Sequence, residues 1–223
     1  MTHGVPERCL QRQPRLLSIE GGEGAGKSTV LAALRDALLA AGFEVVSTRE
    51  PGGTPLAERI RGLLLDPSHE AAAPETELLL MFAARAQHVR EVVRPALARG
   101  AWVVSDRFTD SSYAYQGTAR GLDLAFIAEL ERRVVGIEPG LTLLLDLGVS
   151  HGRERLRGRD VVGCGPDRIE RERDEFFERV RAGFLQRAAQ HPQRIRVIDA
   201  SPSAEHVAAA ALTALADYCE AIS

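Results

Sequence analysis

The run Gly21-Gly22-Glu23-Gly24-Ala25-Gly26-Lys27-Ser28 fits the pattern G-x-x-x-x-G-K-[ST] in full. Its chemistry is phosphate binding. Glycines let successive backbone N–H groups turn inward around phosphate oxygens, and a following helix would add the positive end of its dipole. Lys27 supplies a compact charge for the β- and γ-phosphates, and the Ser28 hydroxyl suits Mg²⁺. Gly21 to Thr29 is therefore the expected ATP-binding stretch. Lys27 is also the only lysine among 28 basic residues. A glycine-rich turn could start a helix with no ligand at all, so the flanks decide. Leu16 to Glu20 is a short apolar run that reads as a buried strand. Ser28 to Ala41 places Val30, Leu31, Leu34, Leu38 and Leu39 on one helical stripe ended by Gly42.

Other candidates follow later strands. Arg49-Glu50-Pro51-Gly52-Gly53-Thr54 and Asp106-Arg107-Phe108 each come after a strand-like run, where ligands bind in open parallel sheets. Asp106 is placed to hold Mg²⁺ through water, and Arg107 to grip a phosphate as a fork. Asp146 ends another apolar run, but with no arginine beside it a structural role is expected. Arg153, Arg155, Arg157 and Arg159 crowd into seven residues with only Glu154 to offset them, before a glycine-rich stretch. That pattern reads as a basic lid closing on phosphate rather than a solvated face of alternating charge.

These residues need a scaffold of alternating strands and helices. Strands are expected at 44–48, 101–105, 141–145 and 194–198, and helices at 56–65, 75–99, 169–190 and 203–218. Pro95 should kink or end the third helical region near Arg94. The fold class is α/β: a three-layer fold of the P-loop NTPase kind, a five-stranded parallel sheet with helices on both faces. At 223 residues the chain makes one domain, 16–223, after an extension over 1–15, with a lid at about 150–168.

Composition narrows the function. With 45% apolar and 26% charged residues and a net charge of −3, no global positive field calls for nucleic acid. No apolar run approaches the ~20 residues that span a bilayer. The first fifteen residues carry Arg8, Arg12 and Arg15 around no apolar core, unlike a secretory signal. Three scattered cysteines suit a reducing cytoplasm. A guanine-specific switch would need Asn-Lys-x-Asp, yet the chain has no asparagine and its one lysine is already used.

The stretches Glu20 to Ser28, Thr48-Arg-Glu-Pro-Gly-Gly-Thr54, Ala84-Arg85-Ala-Gln87, Asp106-Arg107 and Ala114-Tyr115-Gln116-Gly117 together resemble bacterial thymidylate kinases, over about nine-tenths of the chain. The resemblance implies transfer of the ATP γ-phosphoryl group to dTMP, giving dTDP, with Mg²⁺ on Ser28 and Asp106 and a homodimer. It implies that Glu23 takes the deoxyribose 3′-hydroxyl, and that Arg49 and Arg107 lie near the acceptor phosphate. Arg85 matches the arginine on a thymine carbonyl. Ser112 and Gln116 lie in the base-contacting loop, and Tyr115 matches the tyrosine that crowds a 2′-hydroxyl. No basic residue stands between Gly21 and Gly26, which is similar to members whose catalytic charge comes from the lid, here Arg155, Arg157 and Arg159. Two positions depart from the family. Phe108 replaces a tyrosine or histidine, and the position of the thymine-stacking phenylalanine falls on Met81, with Phe82 one place later.

Overall fold

The computed structural model describes residues 9–68, 70–157 and 167–222. Five strands, β1 (Gln11–Gly21), β2 (Val45–Arg49), β3 (Trp102–Asp106), β4 (Ile137–Asp146) and β5 (Ile195–Asp199), form one parallel sheet in the order β2-β3-β1-β4-β5. Side chains alternate across it, so each strand feeds two cores. Leu17 and Ile19 of β1, Trp102 and Val104 of β3, and Leu141, Leu143 and Leu145 of β4 pack under α1 (Lys27–Ala40) and α9 (Ala204–Ile222). On the other face, Leu16 and Val103 meet α3 (Pro74–His88) and α4 (Arg94–Ala98), while Leu144 meets α8 (Asp174–Gln190). The three-layer architecture is the expected one.

Element bounds differ where local chemistry intervenes. β1 begins at Gln11, ahead of Leu16, with a register shift between Gln13 and Leu17. Pro14 has no N–H to give the ladder at that point, and its carbonyl accepts from the Tyr218 hydroxyl of α9 at 2.9 Å. The region 75–99 is α3, a wide π-type turn over Val89–Val93, and then α4 with Pro95 in its first turn. The wide turn accommodates the missing proline N–H, and the helix continues to Ala98. The helix expected at 169–190 starts at Asp174 rather than Ile169, because the Asp167 carboxylate accepts from the N–H groups of Ile169 and Glu170 and forms a turn there. Other elements had no sequence expectation: α5 (Thr109–Ser112) continuing into a π-type segment (Tyr113–Ala119), α6 (Leu124–Leu130) continuing into another (Glu131–Val135), and α7 (Val149–Arg157).

The loops that follow all five strands lie at one edge of the sheet, with β1 at the centre. Under that edge is a polar network inside the protein. Arg194, 1% exposed, donates twice to Asp110 at 2.7 and 2.9 Å and once to Thr142 Oγ1 at 2.8 Å. Arg187 donates to Asp110 at 3.1 Å, and the Ser18 and Thr142 hydroxyls pair at 2.7 Å. The network joins β1, β4, α5 and α8. Burial opposes the Asp110 charge, but the two guanidiniums outweigh it and hold the carboxyl at about 2.

Asp110→Asn leaves Arg194 and Arg187 buried without their carboxylate and should cost about 3–5 kcal/mol of folding stability. Because the folded pKa lies below the ordinary value of 3.8, the contribution of Asp110 is complete above that pH and is lost as pH falls toward about 2. Urea unfolding between pH 7 and 2 checks both. A variant within 1 kcal/mol of the parent at pH 7 would contradict this role.

Candidate functional site

The phosphate-binding loop runs from the end of β1 into α1, with Gly26 capping the helix in the left-handed conformation at φ 90°. Gly24, at φ 75°, also has to be glycine for lack of space: a Cβ there would stand 2.6 Å from the Gly152 carbonyl oxygen of α7. The helix that begins the expected lid thus packs backbone to backbone on the loop. Lys27 Nζ lies across the loop, donating to the carbonyls of Gly22 at 2.9 Å and Gly21 at 3.3 Å. Burial lowers its pKa, and Arg107 pushes the same way.

Arg107 directly follows β3 and has φ 72°. Its Nη1 donates to Gly21 O at 3.1 Å, and its Nη2 to Glu23 Oε1 at 2.6 Å and to the Tyr115 hydroxyl at 3.2 Å. One guanidinium therefore joins the phosphate loop to the π-type segment. Lys27 and then Arg107 hold the Glu23 carboxyl at about 2 in spite of its burial. The next residue, Phe108, gives its N–H to Glu20 Oε1 at 2.7 Å, and Ser111 Oγ donates to Glu20 Oε2 at 2.6 Å. Glu20 is fully buried. Burial first, and the Asp110 charge second, push its pKa up to about 8.

Beside this junction opens a cleft of about 570 Å³, counting its mouth. Of the residues expected to meet an acceptor, Glu23, Met81, Arg85, Arg107, Ser112, Tyr115 and Gln116 all line it. Two do not. Arg49 is exposed and donates to Glu58 Oε2 at 3.0 Å. Phe82 is buried in the core behind Arg85, whose Cζ lies 4.8 Å from its ring centre. Arg85 is held by three acceptors: Glu50 Oε2 at 2.5 Å, Ser112 Oγ at 2.9 Å and Phe108 O at 3.2 Å. Glu50 also meets His88 Nδ1 at 2.8 Å, and His88 Nε2 meets Thr48 Oγ1 at 2.7 Å. The Phe108 ring is in the core, so the family's polar atom at that position has no counterpart here.

A second cleft at the other side of the phosphate loop is lined by Gly24, Ala25, Gly26, Thr29 and Arg155, with Pro202, Ser203 and Val207 opposite. Arg155 donates there to the carbonyls of Pro202 at 3.0 Å and Ser201 at 3.1 Å. Gly21, Gly22 and Glu23 line a third, more apolar cavity under α7 and α8. Ser28 is exposed at the start of α1. Asp106 has a buried Oδ1 with no hydrogen-bond partner, as an oxygen reserved for a cation or its water would. Asp146 instead takes two hydrogen bonds from Arg181, at 2.6 and 2.9 Å.

The arginine cluster divides. Arg153 donates to Asp174 Oδ1 at 2.8 Å and Glu172 O at 2.7 Å and lies over Phe177, so it anchors α7 to α8. The expectation that all four arginines lack an anion is corrected at this position. Arg157 is exposed, and Arg159 lies outside the described residues. Residues given no role of their own from sequence complete the site: Glu20, Glu50, His88, and Arg61, which lines the same cleft as Arg107 and donates to Pro51 O at 3.0 Å. Arg61 stands twelve residues after Arg49, and only the placement of α2 (Pro55–Leu65) brings it in.

Comparison with known proteins gives one result throughout. Residues 19–211 match the family model described as thymidylate kinase. A thymidylate kinase of Chromohalobacter salexigens is 58% identical over 197 residues, covering 87% of this chain and 92% of that protein. One from Pseudomonas fluorescens strain Pf0-1 is 59% identical over 185 residues, covering 82% and 86%. A crystal structure of thymidylate kinase from Ehrlichia chaffeensis superposes with TM-score 0.73 at 29% identity, covering 92% of this chain and 99% of that one.

The two acids around Arg107 should titrate far apart. Carbon-13 NMR of glutamate-labelled protein should show one carboxyl near 8 that vanishes in Glu20→Gln, and one near 2 that vanishes in Glu23→Gln. Glu20 binds its proton more tightly folded than unfolded, so its contribution to stability falls as pH rises from 4.5 to about 8. A Glu20 resonance that titrates in the ordinary carboxylate range would contradict this arrangement.

Proposed function

The chain belongs to the thymidylate kinase family, and from that premise we propose how its residues share the transfer of the ATP γ-phosphoryl group to dTMP, which yields dTDP. The observation that carries the reading is the pair of clefts on either side of the phosphate loop, with Arg107 and Glu23 between them.

In the acceptor cleft, Arg85 donates to a thymine carbonyl, and Ser112 and Gln116 meet the base edge. Met81, which lines the cleft where Phe82 does not, covers the ring face with its polarizable thioether. Tyr115, fixed by Arg107 and packed edge-on to Phe176 and Phe184, stands against a 2′-hydroxyl. Glu23, ionised, accepts from the 3′-hydroxyl. Arg107 and Arg61 are the cations for the acceptor phosphate, while Arg49 stays paired with Glu58.

The nucleophile is an oxygen of the dTMP phosphate, whose second pKa near 6 leaves it largely dianionic at neutral pH, so no general base is required. What remains is alignment and cancellation of charge. Backbone N–H groups of Gly21 to Thr29 and the amine of Lys27 hold the ATP phosphates, and Arg155 faces the donor end. Arg157 and Arg159 supply lid charge for the transferring group. Ser28 Oγ and the unpartnered Asp106 Oδ1 suit a magnesium ion. When bound, that ion neutralises charge gathered between the phosphates.

A homodimer and a cytoplasmic setting belong to the same proposal. Exposed Leu56 and Leu63 on α2 and Leu79 on the adjoining α3 supply an apolar surface for a second copy. Among the described residues, no helix is long and apolar enough to cross a membrane.

Steady-state kinetics on a panel of acceptors test the assignment. We expect dTMP to be the best substrate. dUMP, which leaves the methyl space empty, should be weaker by ~10-fold or more, and the ribose form of TMP weaker still. Equal or better turnover of AMP or dCMP would overturn it.

A further inference from the structure

Glu77 is a buried carboxylate on α3 with no part in the proposed phosphoryl transfer. It lies one turn before Met81 and two turns before Arg85, so the three share a helical face. It is 1% exposed and accepts from Gln116 Nε2 at 2.9 Å, Arg168 Nη2 at 2.6 Å and Arg120 Nη2 at 3.2 Å. Burial alone would favour the neutral acid. The hydrogen bonds from Gln116 and Arg168 and the charges of Arg120 and Arg168 keep the carboxyl below its ordinary value.

An ionised carboxylate only accepts hydrogen bonds, so the side of the Gln116 amide turned toward it has to be the NH₂. The amide carbonyl then points the other way. Gln116 lines the acceptor cleft, and among the described residues no donor meets its carbonyl oxygen. We propose that Glu77 locks the Gln116 amide with its carbonyl toward the cleft, and that this lock selects a pyrimidine ring with an N3–H over one with a bare N3.

This rests on Gln116 meeting the base, as proposed above. Thymine and uracil donate from N3, and the locked carbonyl accepts. Cytosine presents a lone pair at N3, which would face a second lone pair with no donor between them. A freely turning amide would rotate and donate to cytosine instead. Here rotation would break the bond to Glu77 and set a carbonyl against a buried carboxylate. The device is a repulsive element aimed at the wrong base. Glu77 is thus a positioning residue that acts through Gln116 and need not touch the substrate.

The experiment compares kcat/KM for dTMP and dCMP in the full chain and its variants. Glu77→Gln is nearly isosteric and can meet either end of the Gln116 amide. The dTMP-to-dCMP ratio should fall roughly 10- to 100-fold, the worth of one mispaired buried hydrogen bond. Gln116→Met should lower the ratio comparably, and adding Glu77→Gln to it should lower the ratio no further. Arg120→Gln removes an ion pair from Glu77 but leaves the Gln116 bond, so its ratio should stay at the parent value. The inference is overturned if Glu77→Gln keeps the parent ratio while Gln116→Met loses it, or if Arg120→Gln relaxes the ratio as much as Glu77→Gln. If Gln116→Met itself keeps the ratio, the base contact fails and this inference with it. Should Glu77→Gln not fold, nitrogen-15 NMR of glutamine-labelled parent protein decides. The Gln116 NH₂ should exchange slowly with solvent and stay so when dTMP binds, whereas its release on binding would refute the lock.

Discussion

Arg107 has its backbone in the left-handed region at φ 72°, and its guanidinium touches the phosphate loop and the acceptor wall at once. That conformation costs a non-glycine residue of order 1–3 kcal/mol. Its neighbours offset the cost: the Arg107 N–H bonds to Ile19 O at 2.9 Å, and Glu20 takes the following N–H from Phe108. Reversing the chain directly after β3 aims Arg107 back over β1. An ordinary strand-to-helix turn would send the side chain elsewhere.

The surrounding charges follow from that constraint. Glu23 meets this guanidinium ionised, held at about 2, whereas burial and the Asp110 charge push Glu20 up to about 8 against the pull of Arg107. Lys27 lies beside Arg107, and burial first and the Arg107 charge second lower its pKa. Arginine makes up all but one of the basic residues, and in the interior it works as a fork. Arg194 spans Asp110 and Thr142, and Arg85 spans Glu50 and Ser112. Planar donors that keep their charge when buried suit such bridges. The phosphate loop has the compact ammonium instead.

Legibility in the sequence tracks how local the governing physics is. The loop Gly21 to Ser28 and the apolar strands around it were readable, because spacing alone fixes a phosphate cradle and a buried strand. The segments Tyr113–Ala119 and Glu131–Val135 wind with wide turns, which erase the 3.6-residue period that marks a helix. Arg49 stood out by its motif, whereas Arg61 enters the acceptor cleft only because α2 folds back beside it. Arg153 has only Glu154 as an anion in its own run of sequence, and its partner Asp174 comes from the next helix, 21 residues on. Glu77 left a trace that could have been found, an acid four and eight residues before Met81 and Arg85. At Met81 and Phe82 the sequence left two candidates, and α3 turns the first side chain to the cleft and the second to the core.

In the proposed mechanism the contact between Arg107 and Glu23 is the joint between the two substrates, and a double-mutant cycle measures that joint directly. Arg107→Lys keeps the charge and loses the fork, and Glu23→Gln keeps the shape and loses the charge. kcat/KM for dTMP in the parent, both single variants and the double variant should show that the double loses little beyond the worse single. The coupling should then be at least tenfold, or about 1.4 kcal/mol. Losses that simply multiply would mean that the two residues act separately, and the joint would not exist.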